Sequence, residues 1–152
     1  MSTVQASPNS LSPYLLIPIL VLFVAVWCIG TYIGSIGAGW RALSQRFRAQ
    51  SKFPGQTQSA RPFFNVCMKN WADYSGIVRI AAEEDALYLS VAFPYRIGHP
   101  PLCIPWQEIQ LGRTKFLWRR FVVLTLGKQE RIPMRISERT AGKLGIQGRL
   151  PS

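Results

Sequence analysis

The sequence predicts a membrane-anchored α+β protein. One N-terminal transmembrane helix precedes a small antiparallel β-barrel or sandwich with a short C-terminal helix. Three observations carry this. Residues 1–40 contain no Asp, Glu, Lys, Arg or His, and all 18 Lys+Arg and all 7 Asp+Glu fall in 41–152. An unbroken apolar run fills Tyr14–Gly39. From Phe63 onward, short β-rich runs alternate with turn residues at hairpin spacing. The 152 residues suffice for one domain and an attachment. Three scattered cysteines exclude a disulfide scaffold, and the composition excludes a collagenous, coiled-coil or fully disordered chain.

The run from Tyr14 to Gly39 holds 26 residues without a charge. As a helix it measures ~39 Å, enough to cross a hydrocarbon core of ~30 Å with some tilt. A soluble core helix would keep a polar face, and this segment has none. Pro18 lies near the outer end, where a lost backbone hydrogen bond is tolerated. Tyr14 and Trp40 bracket the run as interfacial aromatics do. A cleaved signal peptide would need a basic leader and a shorter apolar core. Residues 1–13 carry no basic side chain, so the span is expected to remain uncleaved. Arg41, Arg46, Arg48, Lys52 and Arg61 follow it, with no acid before Asp73. Positive charge on that side alone puts the N-terminus outside and the remainder in the cytoplasm. Cysteines without CxxC spacing suit that reducing compartment. The expected segments are a tail (1–13), a transmembrane helix (14–40), a basic juxtamembrane stretch with linker (41–62) and a cytoplasmic β-rich domain (63–152).

Gly30, Gly34 and Ala38 recur every fourth residue, a spacing that lets two helices approach closely. They are the candidate contact for a homodimer or partner helix. In WRALSQRFRAQ (40–50), Trp40, Leu43 and Phe47 share a helix face, with Arg41, Arg46 and Arg48 to its sides. Such a segment can lie in the headgroup layer, so Trp40, Arg41, Arg46, Phe47 and Arg48 form a candidate juxtamembrane interface. Residues 49–62 read as a linker.

About seven strands are expected behind it. FFNVCMKN (63–70) is the first, and Asp73, Ser75 and Gly76 mark a turn. IVRIA (77–81) and ALYLSVAF (86–93) flank Glu83-Glu84-Asp85, a hairpin signal. PYRIGHPP (94–101) is a loop. LCIPW (102–106) is a short edge strand, because Pro105 cannot donate to a ladder. QEIQLGRTKF, FVVLTLG (121–127) and RIPMRI (131–136) complete the set, and Ser137 caps a helix over ERTAGKLG. A meander of this kind closes as a small barrel or as two packed sheets.

The acidic turn followed by Leu87 and Leu89, then by Ile104, Pro105, Trp106 and Ile109, resembles bacterial pleckstrin-homology-like (PH-like) domains over residues 63–148. Gly39, Trp40, Arg41 and Leu43 are similar to the turn of small bacterial membrane proteins with one span and such a domain. The resemblance implies an inner-membrane binding or assembly module, with a lipid or protein partner and no catalysis.

Arg113, Lys115, Phe116, Leu117, Trp118, Arg119 and Arg120 lie between two expected strands. As a hairpin tip, Arg113, Lys115, Leu117, Trp118, Arg119 and Arg120 would contact a protein partner or the anionic membrane lipids of the inner leaflet. The opposing reading turns the apolar members into the core. The chain has no helix-turn-helix, zinc ligand set or RNP-like motif, so nucleic acid is not expected. His99, the only histidine, has no nucleophile motif to serve. Glu83, Glu84 and Asp85 are consecutive and do not converge on a metal. No catalytic residue, cofactor or metal is assigned. The alternatives are an accessory subunit assembled through the transmembrane helix and a tethered enzyme using His99.

Overall fold

The computed structural model describes residues 13–50 and 63–150. Nearly all of the expected N-terminal tail lies outside the described residues, as do most of the linker, Lys52 and Arg61. The first helix, α1 (Pro13–Gly37), is 25 residues long and leaves large apolar side chains exposed from Tyr14 to Ile36. It is long and apolar enough to cross a membrane.

Gly39 turns the chain from α1 into α2 (Trp40–Phe47), with φ of +84°. A side chain there would also collide with Ile132 and crowd Lys69, so glycine is required on two counts. The helical spacing of Trp40, Leu43 and Phe47 holds, but all three are buried in the domain core. This corrects the expected juxtamembrane interface at Trp40 and Phe47. Their face is occupied by the chain's own sheet and is not free to lie among headgroups.

Seven antiparallel strands follow: β1 (Phe64–Met68), β2 (Ala72–Ala82), β3 (Ala86–Val91), β4 (Leu102–Pro105), β5 (Ile109–Phe116), β6 (Arg119–Leu126) and β7 (Ile132–Ser137). Their order is β4-β3-β2-β1-β7-β6-β5. The sheet curls into a half-barrel and does not close, leaving β4 and β5 as its edges. The expected edge role of LCIPW is therefore observed. Behind α2 the chain covers part of that edge: Arg48 bridges to Leu102, and the Ala49 amide donates to the Pro101 carbonyl at 2.9 Å.

The expected turn at Asp73–Gly76 is instead part of β2. The register against β1 shifts between the Phe64–Val78 and Val66–Tyr74 pairs, and Gly76 takes a φ of +70° there. Turn residues inside a strand thus form a bulge that bends it. Period-two alternation places Val66, Met68, Val78 and Ile80 in one half of the core. Leu124, Leu126, Met134 and Ile136 fill the other half. Trp40 and Leu43 are fully buried in this same core. The terminal helix α3 (Glu138–Lys143) starts at Ser137 as expected, whose hydroxyl accepts from the Thr140 amide at 3.1 Å.

Candidate functional site

Strands β5 and β6 pair without interruption from Ile109–Leu126 to Phe116–Arg119. The alternation that buries Ile109, Leu124 and Val122 brings Arg113, Lys115 and Arg120 onto the same face nearer the tip. The face therefore changes from apolar to cationic along the hairpin. Lys115 stands directly opposite Arg120, a like-charge pair that opposes strand association. Arg113, Thr114, Lys115, Arg120, Phe121 and Glu138 line an open cleft of about 320 Å³.

The turn itself is Leu117–Trp118, with φ of +44° and +67°. Two-residue hairpin turns of this shape are favoured by Asn-Gly, whose residues tolerate positive φ. An ordinary side chain there costs ~1–2 kcal/mol. Phe116, Leu117 and Trp118 are 57%, 71% and 101% exposed. The apolar members of the cluster therefore face solvent and contribute nothing to the core. Among the described residues no salt bridge engages Arg113, Lys115, Arg119 or Arg120. Strain and facing cations both oppose folding stability at this spot, and its exposed apolar side chains add nothing to offset them.

The cations of the expected juxtamembrane stretch have separate fates. Arg46 reaches Glu108 at 3.8 Å and Glu130 at 3.3 Å, so it ties α2 to the sheet. Arg41 hydrogen-bonds the Tyr32 hydroxyl and lies over the Tyr32 ring at 5.3 Å. Arg48 is exposed. Gly30 and Gly34 have open space beside them, whereas Ala38 is fully buried within the chain. The small-residue stripe is thus reduced to its first two members.

His99 is buried against Trp40 and Tyr74, with ring centroids 5.3 and 5.5 Å away. Its Nδ1 lies 3.0 Å from the Ile97 carbonyl, which can only accept, so Nδ1 carries the proton. Nε2 then accepts from the Tyr74 hydroxyl at 2.9 Å. The Trp40 indole donates to the Pro100 carbonyl at 2.8 Å. Burial lowers the His99 pKa and pushes that of Tyr74 up to about 12. Both imidazole nitrogens are occupied, which makes this cluster a clasp holding the β3–β4 loop to α2. Glu83, Glu84 and Asp85 form an exposed turn between β2 and β3, as the hairpin signal predicts.

Sequence reasoning missed what the β3–β4 loop does. Three contacts climb in order from α2 along α1: His99 on Trp40 of α2, then Gly98 beside Ser35 and Tyr32 of α1, and Tyr95 on Trp27 of α1 with ring centroids 5.3 Å apart. Gly98 has a φ of +76°, and a Cβ there would sit 2.7 Å from the Ser35 hydroxyl. The available signal was the alternation of Phe93, Tyr95 and Ile97 within a stretch otherwise marked as loop by proline and glycine.

No family model matches the chain, and neither curated proteins nor solved structures yield a match.

Proposed function

We propose that this chain is a single-pass protein of the bacterial inner membrane, with its N-terminus outside and a PH-like domain in the cytoplasm. The domain acts by binding, without catalysis. Its β5–β6 hairpin docks a protein partner that offers an apolar pocket rimmed by acidic side chains. The observation that carries this reading is the Leu117–Trp118 turn, which holds two large apolar side chains in solvent at a conformational cost. Trp and Arg are the side chains that most often anchor interfaces, and the tip supplies Trp118 beside Arg119 and Arg120.

The length of the hairpin along the sheet separates its tip from the helix exit. Leu126 pairs with Ile132, which packs at Gly39 where α1 ends. From Leu126, β6 runs eight residues to Arg119, roughly 23 Å along the strand. The tip thus leads away from the point where the helix leaves the membrane. Anchoring itself is supported by the way α1 joins the fold: Ser35 and Ala38 are fully buried, so cleavage behind the helix would open the domain.

The test is purification of the full chain in mild detergent, alongside Arg119→Glu/Arg120→Glu. A co-eluting protein at fixed stoichiometry with the parent, lost with the variant, is expected. Equal recovery from both, or enrichment of anionic lipid alone, would overturn the reading.

A further inference from the structure

We propose that the β3–β4 loop is a second membrane contact, dipping Phe93, Tyr95 and Ile97 into the inner leaflet beside α1. This rests on the reading of α1 as a membrane span. The first support is position. Tyr95 meets Trp27, and Trp27 lies ten residues above the end of α1 at Gly37. Ten residues of helix rise about 15 Å. A span of 24 residues from Tyr14 to Gly37 is about 36 Å long, only slightly more than the ~30 Å hydrocarbon core. With the surplus length shared between the two ends, Trp27 lies about 12 Å inside the hydrocarbon boundary, so a loop whose Tyr95 ring reaches it passes the headgroup layer and enters the acyl region.

The second support is chemistry. Phe93 is 87% exposed and Ile97 is 42% exposed. Large apolar side chains left in water add nothing to folding, whereas beside a span they meet lipid. Arg96 lies between them, exposed, with a stem long enough to bring its charge back to the phosphates. The third support is the charge arrangement along β3. Its loop end carries Arg96, and its other end carries Glu83, Glu84 and Asp85, which an anionic leaflet repels. At the helix exit, Trp71 lies against Gly37 and adds an interfacial aromatic at headgroup level. Two attachments fix the domain's orientation, where a lone helix would leave it free to turn. The hairpin tip is thereby presented in a constant direction.

The test uses the full chain in vesicles containing anionic lipid, with Cys28, Cys67 and Cys103 replaced by Ser. A single nitroxide is placed by Phe93→Cys or, separately, by Ile97→Cys. Collision with oxygen, which concentrates in the bilayer, is compared with collision with an aqueous nickel chelate. Labels at Leu22→Cys and Trp118→Cys give the embedded and aqueous references. The expected result is an oxygen-to-nickel ratio at both loop sites several-fold above that at Trp118→Cys. If both loop sites match Trp118→Cys while Leu22→Cys remains embedded, the loop contact is wrong and the anchor stands. If Leu22→Cys is also aqueous, the anchor fails and the loop contact fails with it.

Discussion

The ring of Tyr95 packs 5.3 Å from that of Trp27, joining a loop of the β-domain to the middle of the apolar helix. An aromatic pair of this kind contributes ~0.5–1.5 kcal/mol beyond its buried area. Arg96 follows Tyr95 and is exposed to a protease once the loop leaves its seat. Tyr95→Ala is therefore expected to speed tryptic cleavage after Arg96 in vesicles by about fivefold, the equivalent of ~1 kcal/mol of lost docking. Cleavage sites mapped by mass spectrometry check it.

Gly98 sets how closely loop and helix approach. Gly98→Ala adds a methyl group against Ser35 at a positive φ. The expected loss is ~1–2 kcal/mol, read as a lower thermal midpoint of the full chain in detergent. Gly148→Ala, where a Cβ meets nothing, is expected to leave the midpoint unchanged.

The hairpin turn should trade stability for binding. Leu117→Asn with Trp118→Gly supplies the residues that a positive-φ turn favours. Relief of ~1 kcal/mol corresponds to a rise of about 4–8 °C in the thermal midpoint. The same variant is expected to lose the partner. Calorimetry paired with co-purification tests both halves.

Trp40 is a core residue with a polar anchor. Trp40→Ala is expected to cost ~3–5 kcal/mol through the cavity it leaves. Trp40→Phe keeps most of the packing but removes the indole donor to Pro100, at ~1–3 kcal/mol. Urea unfolding followed by circular dichroism separates the two.

His99 and Tyr74 predict stability losses at opposite ends of the pH scale. Burial holds the imidazole below its ordinary value of 6.5, so the unfolded chain takes up the proton first as pH falls. Stability is then complete above pH ~6.5 and declines below it, until the folded imidazole itself protonates. Burial raises the Tyr74 phenol from 10.0 to about 12, so the unfolded chain ionises first as pH rises. Its contribution is complete below pH ~10 and is lost toward pH ~12. His99→Gln should flatten the acid side, as seen in urea midpoints at pH 7.5 and 5.

Much of this arrangement is legible in the sequence because it rests on local rules. The apolar run, seven strands, Pro105 at an edge and the Ser137 cap all follow from periodicity and backbone chemistry. Four features do not. The segment at Trp40–Phe47 has the same spacing whether its apolar face meets lipid or a sheet, and only the tertiary fold decides. Gly76 marks a turn and a bulge equally well. Tyr95 and Trp27 are 68 positions apart, and no spacing rule links a loop aromatic to a long apolar helix. At the hairpin, sequence brings the cations and Trp118 together but cannot choose between core and solvent. The register of β5 on β6 makes that choice.

The most direct test of partner docking replaces Trp118 with a photocrosslinking phenylalanine analogue in the full chain, irradiated in intact cells. The result in support is a discrete protein adduct of one mass. It should be lost when Arg119→Glu/Arg120→Glu is added and absent when the analogue sits at Gln110. Adducts with lipid alone, or a protein adduct indifferent to the charge reversal, would contradict it.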